Sequence, residues 1–236
     1  MVKLMESKNT GHYRYELKYI CSDLQLVQIE ERARSLLSKD SHVGEKGYYT
    51  IRSLYFDDLH NSAFLDKEEG NNPREKYRIR FYDNRTDVIH LEIKKKVGAK
   101  VQKASSSISK QEANSIIDGN WGDICGNTDR VIQKLYLAGV MRLFLPKIIV
   151  EYDRIPLICK EGNVRITIDK NIRSSSRYKT FWDDMLPTRP IMPSGQHLLE
   201  VKFDEFLPDY IYRTLQLENM TQTAFSKYYL CRKYYI

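Results

Sequence analysis

Lys76-Tyr77-Arg78-Ile79-Arg80-Phe81-Tyr82 alternates without a break: Lys76, Arg78 and Arg80 hold one parity, and Tyr77, Ile79 and Phe81 the other. In a β-strand, residues two apart point to the same side. The segment therefore reads as a strand with a cationic face, which Arg74 prolongs, and an apolar face. The same spacing recurs along the chain. Glu16 and Lys18 share a face in YELKY, His90, Glu92, Lys94 and Lys96 in HLEIKKK, and Tyr152 and Arg154 in EYDRIPL. Arg165, Thr167 and Asp169 share one in VRITID, and Glu200 and Lys202 in LLEVKF. A single strand of this kind is an ordinary half-buried strand with a solvated outer face. Glu200 with Lys202 is, by itself, equally a cross-strand ion pair. A set of about six, biased toward Arg and Lys, is different. If the strands share one sheet, their charges line a single concave surface.

Working outward, further strands are predicted over 12–20, 47–57, 75–83, 87–96 and about 100–108. Others follow over 147–158, 163–170, about 173–182 and 196–204. The turns DNRTD and VGA make 75–108 an antiparallel meander. Helical spacing is predicted over 23–38, with Ser22 or Asp23 as cap, and over 109–118, 129–141 and 208–217. A short helical turn is expected over 61–67. A last helix is predicted over 223–234, capped by Thr221 or Thr223. The fold class is therefore α+β: about eight antiparallel strands curling into a barrel or tunnel, with flanking helices and a C-terminal helix. No Pro/Gly/Ser-rich linker divides the 236 residues, so one domain over 1–236 is expected.

Composition narrows the chemistry. An apolar fraction of 42% with 17 Tyr supports a packed core, and a formal charge of +7 favours an anionic partner. Charge alone leaves nucleic acid, anionic lipid and phosphorylated small molecules open. The four cysteines form no CxxC pair and suit no zinc site, so reduced thiols are expected. The start of the chain lacks a signal-peptide core. The most apolar stretch, 140–150, is interrupted by Arg142, Pro146 and Lys147 and falls short of the roughly 20 residues a spanning helix needs. A soluble, cytoplasmic protein is the expectation. Arg presents a rigid fork that matches phosphate oxygens, and a carboxylate among cations suits a hard divalent metal beside phosphates.

Taken in order, the segments KY at 18–19, SLYFDD at 53–58, YRIRFY at 77–82, EIK at 92–94 and GAKVQK at 98–103 resemble the VTC domain. So do YDR at 152–154, VRITID at 164–169, LEVK at 199–202 and FSKY at 225–228. The VTC domain is the polyphosphate polymerase domain of the vacuolar transporter chaperone family, within the triphosphate tunnel (CYTH-like) superfamily. The resemblance implies a basic tunnel and transfer of the γ-phosphate of ATP to inorganic polyphosphate. It implies phosphate or nucleotide contacts at Lys18, Arg78, Arg80, Lys94, Lys103, Arg154, Arg165, Lys202 and Lys227, with Tyr152 and Ser226 flanking. Of these, Arg78, Arg80, Lys94 and Lys227 are expected to be catalytic together with Glu200, which is also the expected ligand for Mn²⁺ or Mg²⁺. ATP and polyphosphate are the expected partners. No nucleic acid is expected, and a membrane-protein partner follows by family analogy alone. A non-catalytic polyphosphate-binding subunit and a tunnel triphosphatase remain as alternatives. Against the triphosphatase, the first strand reads Arg14-Tyr15-Glu16-Leu17-Lys18, with Arg where hydrolytic relatives carry the first Glu of ExExK. The chain shows no SPX region or membrane helices, which likens it to stand-alone prokaryotic VTC-domain proteins.

Overall fold

The computed structural model describes residues 12–34, 36–39, 43–44 and 46–235. Eight long strands carry the fold: β1 (Arg14–Ser22), β3 (Tyr49–Asp57), β4 (Arg74–Tyr82), β5 (Arg85–Val97), β6 (Lys100–Ile108), β7 (Leu145–Cys159), β8 (Val164–Ser175) and β10 (Gln196–Phe203). Two short strands, β2 (Ser38–Lys39) and β9 (Arg189–Pro190), attach to β7 and β8. The pairing runs β7-β3-β4-β5-β6-β1-β10-β8, and β8 pairs back onto β7, so the sheet closes into an eight-stranded antiparallel barrel. The closure is narrowest between β6 and β1, where only Arg14 with Val101 and Tyr15 with Lys100 are paired.

Alternation sorts the side chains. The outward residues of β4 and β5, Tyr77, Ile79, Phe81, Leu91 and Ile93, are buried under α3 (Lys110–Asp118) and α4 (Arg130–Arg142). Those of β1, β8 and β10 pack against α1 (Asp23–Ala33) and α5 (Asp209–Thr214). Caps fix these helices locally. Ser22 forms a capping box with Gln25, Ser109 does so with Glu112, and Asp129 caps α4.

A third apolar cluster lies on the inward parity. Val150, Tyr152, Ile172 and Leu198 pack against Phe225, Tyr228 and Cys231 around α6 (Lys227–Lys233). α6 thus fills one stretch of the barrel interior and carries Lys227 inward. The short α2 (Ser62–Glu68) braces it, with the rings of Phe64 and Tyr229 stacked at 5.0 Å.

Three sequence expectations change. The strands predicted over 163–170 and 173–182 are one strand, β8, which continues through Asn171 in the left-handed region and ends at Ser175. Its pairing with β7 shifts register there, between Glu151 and Asp153, which disguises the continuity. The final helix begins at Lys227 and is capped by Ser226, not by Thr221 or Thr223. The preceding segment runs extended along β1, where Thr223 N–H donates to the Lys18 carbonyl. α1 stops at Ala33 instead of continuing to 38, because Ser38–Lys39 pair with β7. Among the described residues no helix is long and apolar enough to cross a membrane.

Candidate active site in the barrel bore

The inward faces enclose a cavity of about 530 Å³. Arg74, Lys76, Arg78, Arg80 and Tyr82 all line it, so it follows β4 from end to end. At about 3.3 Å per residue that is roughly 26 Å. Fourteen Lys and Arg side chains face this space against two Glu, Glu16 and Glu200. Glu92 and Asp169 also pair with bore cations. Even with all four carboxylates counted, the bore holds more excess positive charge than the whole chain's +7. The remaining residues therefore carry a formal excess of negative charge.

Buried charge persists only when paired, and three of the four carboxylates here each hold several cations. Glu92 accepts from Arg78 Nε at 2.7 Å and from Lys103 Nζ at 2.9 Å, with Arg80 at 3.6 Å. Asp169 accepts a bidentate pair from Arg154, at 2.6 and 2.8 Å, and lies 2.5 Å from Lys227 Nζ. Glu200 receives Lys227 and Lys202, each at 2.9 Å, with Lys18 and Arg154 at 3.6 Å. Glu16 takes Lys94 at 2.7 Å. Neutral groups complete the wall. Arg80 donates to Ser53 Oγ at 3.0 Å and Tyr152 Oη at 3.1 Å, and the Tyr152 ring lies beneath Arg154 and Lys227. Arg165 Nη2 donates to Tyr49 Oη at 3.4 Å, and Lys18 Nζ to the Phe225 carbonyl at 2.9 Å. Ser226 Oγ accepts Lys76 Nζ at 2.7 Å while capping α6.

These contacts set the protonation states. Burial alone would raise the Glu16 carboxyl, but Lys94, Lys202 and Lys18 outweigh it and hold it at about 2. Burial acts likewise on Glu200, and Lys202, Lys227, Lys18 and Arg154 pull it well below the usual range. Burial pushes Lys18 and Lys202 down to about 8, with Glu200 resisting. Lys227 moves the other way. Burial would lower it, but it faces both Asp169 and Glu200, which together raise it.

All twelve residues singled out in the sequence line this one cavity: Lys18, Arg78, Arg80, Lys94, Lys103, Tyr152, Arg154, Arg165, Glu200, Lys202, Ser226 and Lys227. Among the contributors without an assigned role are Lys76 and the neutralising carboxylates Glu16, Glu92 and Asp169. The alternation placed each on a charged face, but their partners lie across the barrel and are not spaced in sequence. Not every buried cation faces the bore. Arg52 lies on the outer parity, where it binds Glu151 and the carbonyls of Phe181 and Asp183.

The sequence profile of the VTC domain matches residues 13–236. The chain belongs to the VTC domain family. Its barrel is the triphosphate tunnel fold. A solved structure of a candidate adenylate cyclase from Bacillus halodurans is similar at 16% identity, covering 92% of this chain and 96% of that one, with a TM-score of 0.52. A conserved hypothetical protein from Pyrococcus furiosus gives 9% identity over 86% of each chain and a TM-score of 0.43. The RNA triphosphatase Pct1 of Schizosaccharomyces pombe gives 11% over 88% of this chain and 76% of that one, with a TM-score of 0.33. At 16% identity the likeness to the first of these is one of fold. A search of curated proteins gives no match.

For a VTC-family bore, the donor set decides what kind of metal site is feasible. Among the described residues, no three His, Cys, Asp or Glu side chains converge as metal ligands. Glu200 and Glu16 sit on paired strands, where Lys18 opposes Glu200 and Lys202 opposes Glu16. Both carboxylates are ionised and surrounded by ammonium groups. Such residues fit a hard divalent ion that arrives bound to phosphate oxygens and takes one or two carboxylates from the wall. They do not form an all-protein cage.

Proposed function

We propose that this VTC-family chain is a polyphosphate polymerase that moves the γ-phosphoryl group of ATP onto the terminal phosphate of a polyphosphate chain. A terminal oxygen of the acceptor attacks the γ-phosphorus. The bond from that phosphorus to the oxygen bridging the β-phosphate breaks, and ADP leaves. The observation that carries this reading is a cationic bore far longer than one triphosphate requires, with its Arg forks aimed inward. Phosphoryl transfer needs positioning and charge stabilisation more than covalent chemistry. Arg78, Arg80 and Arg154 are held in fixed orientation by Glu92, Ser53 and Asp169, so they meet equatorial oxygens without reorganising. Lys94, Lys103 and Arg165 extend the contact along the wall, and Lys18, Lys202 and Lys227 crowd the Glu200 side. Glu200 would hold Mn²⁺ or Mg²⁺, which as a Lewis acid would offset charge on the phosphate oxygens. The acceptor oxygen is itself the nucleophile and is already ionised near neutral pH, so neither a side-chain nucleophile nor a strong base is required.

Arg14 lines the cavity where an extra carboxylate would favour hydrolysis, which supports transfer over triphosphatase action. The negative excess outside the bore speaks against a nucleic-acid surface. The test is incubation with ATP and Mn²⁺ or Mg²⁺, followed by sizing of products on gels and by phosphorus NMR. Long chains and ADP are expected, and Glu200→Gln should abolish them. Free orthophosphate instead of chains would identify a triphosphatase. Chain binding without ATP turnover would identify an accessory subunit.

A further inference from the structure

Eight of the bore's cations, among them Arg78, Arg154 and Lys227, each lie within ion-pair distance of a carboxylate. A second group touches none: among the described residues, no carboxylate lies within ion-pair distance of Lys67, Arg74, Lys76 or Lys96. All four line the same cavity, at the end where β4 begins and β5 finishes.

The strand register makes this arrangement costly. Arg74 lies directly opposite Lys96 across the β4–β5 ladder, and Lys76 directly opposite Lys94. Like charges facing each other across a ladder destabilise a sheet. Lys94 escapes through Glu16, but the others have only neutral or distant help. Lys76 donates to Ser226 Oγ at 2.7 Å and sits 5.5 Å over the Tyr228 ring. Arg74 donates to the Asn71 carbonyl at 3.1 Å. Burial depresses Lys67, Arg74, Lys76 and Lys96 alike, and neighbouring cations depress three of them further: Arg74 acts on Lys67, Lys18 and Lys94 on Lys76, and Arg74 and Lys67 on Lys96. The more distant Asp66 and Glu16 offset this only in part, at Arg74 and Lys96. A run of facing, partly buried, unneutralised cations along one wall is built for a flexible polyanion that supplies the missing charge.

We infer that Lys67, Arg74, Lys76 and Lys96 form a chain-holding subsite, which binds the stretch of polyphosphate lying beyond the phosphates gripped at the centre of the bore. This rests on the bore being a phosphate site, and it adds that affinity depends on chain length. A tripolyphosphate, held by the carboxylate-oriented arginines, does not reach the subsite. A chain of tens of phosphates does.

The test is titration of tripolyphosphate and of long-chain polyphosphate into the whole protein, comparing wild type with the Arg74→Gln/Lys96→Gln pair and with Lys96→Arg. In the double variant, long-chain affinity should fall about tenfold or more with a shallower salt dependence. Tripolyphosphate affinity should change less than twofold, and Lys96→Arg should behave as wild type. Relief of like-charge repulsion should also raise the melting temperature of the ligand-free double variant, so a folding defect would be visible and would contradict the inference. Equal loss for both ligands would overturn the subsite, since it would mean a general field effect. No loss for either would overturn it as well. A wild-type protein that binds neither ligand would remove the bore reading itself, and the subsite with it.

Discussion

Lys18 and Lys202 approach different oxygens of Glu200, at 3.6 and 2.9 Å, and both are pushed down to about 8 by burial. A phosphate bound between them needs both protonated. Raising the pH from 7 to 9 should weaken tripolyphosphate binding by about tenfold per lysine, roughly a hundredfold for the two, because each must then take up a proton on binding. The folded protein responds in the opposite sense. Unfolded lysines titrate near 10.5, so between about pH 8 and 10.5 the unfolded chain binds more protons than the native one. Over that window the contribution of these two groups to stability rises with pH. Calorimetric titration across pH 7–9, corrected for ionisation of the ligand, checks the first effect, and denaturant unfolding across pH 8–10.5 checks the second. A binding constant indifferent to pH over that range would show that these lysines do not touch the ligand.

At the scale of single elements, α6 is the piece that most depends on a remote anchor. Tyr228 Oη donates to Asp57 Oδ2 at 2.6 Å, and the same carboxylate accepts the backbone N–H groups of Ala63 and Phe64 at the start of α2. Asp57 thus ties the helix bearing Lys227 to β3 and α2. Tyr228→Phe removes one hydrogen bond to a buried carboxylate, worth about 1.5–3 kcal/mol. Amide exchange across 227–233 should accelerate, with the barrel strands much less affected. Unchanged exchange in α6 would mean that the apolar packing around Phe225 and Cys231 holds the helix unaided. The sequence announced a terminal helix but not where it starts. Phe225 and Ser226 continue the apolar and polar alternation into the helix, and the pairing of Gln222 and Thr223 with β1 shows that the chain is still extended. β8 likewise reads as two strands in the sequence, because a single left-handed Asn171 breaks the two-residue period.

For the molecule as a whole, the barrel and the cationic lining were legible because alternation is a local signal. Arg78, Arg80, Arg154 and Lys202 fall on the inward parity of strands whose other parity is plainly core. The neutralisation scheme was not legible. Whether Asp169 serves Arg154 and Lys227, or Glu92 serves Arg78 and Lys103, depends on which strands become neighbours when the sheet closes, and sequence spacing does not encode that. Nor did the sequence show that apolar side chains around α6 fill one stretch of the interior. Closure also explains where the charge goes. A chain of only +7 concentrates its cations on an inner wall and keeps them apart with four buried carboxylates. The measurement that bears on this most directly is an experimental structure of the protein with a long polyphosphate chain. Continuous phosphate density inside the barrel, from the Arg154 and Lys227 side past Arg78 and out along Lys76 and Arg74, is the predicted result. A chain lying on the outer surface, with the bore cations still paired only to their own carboxylates, would contradict it.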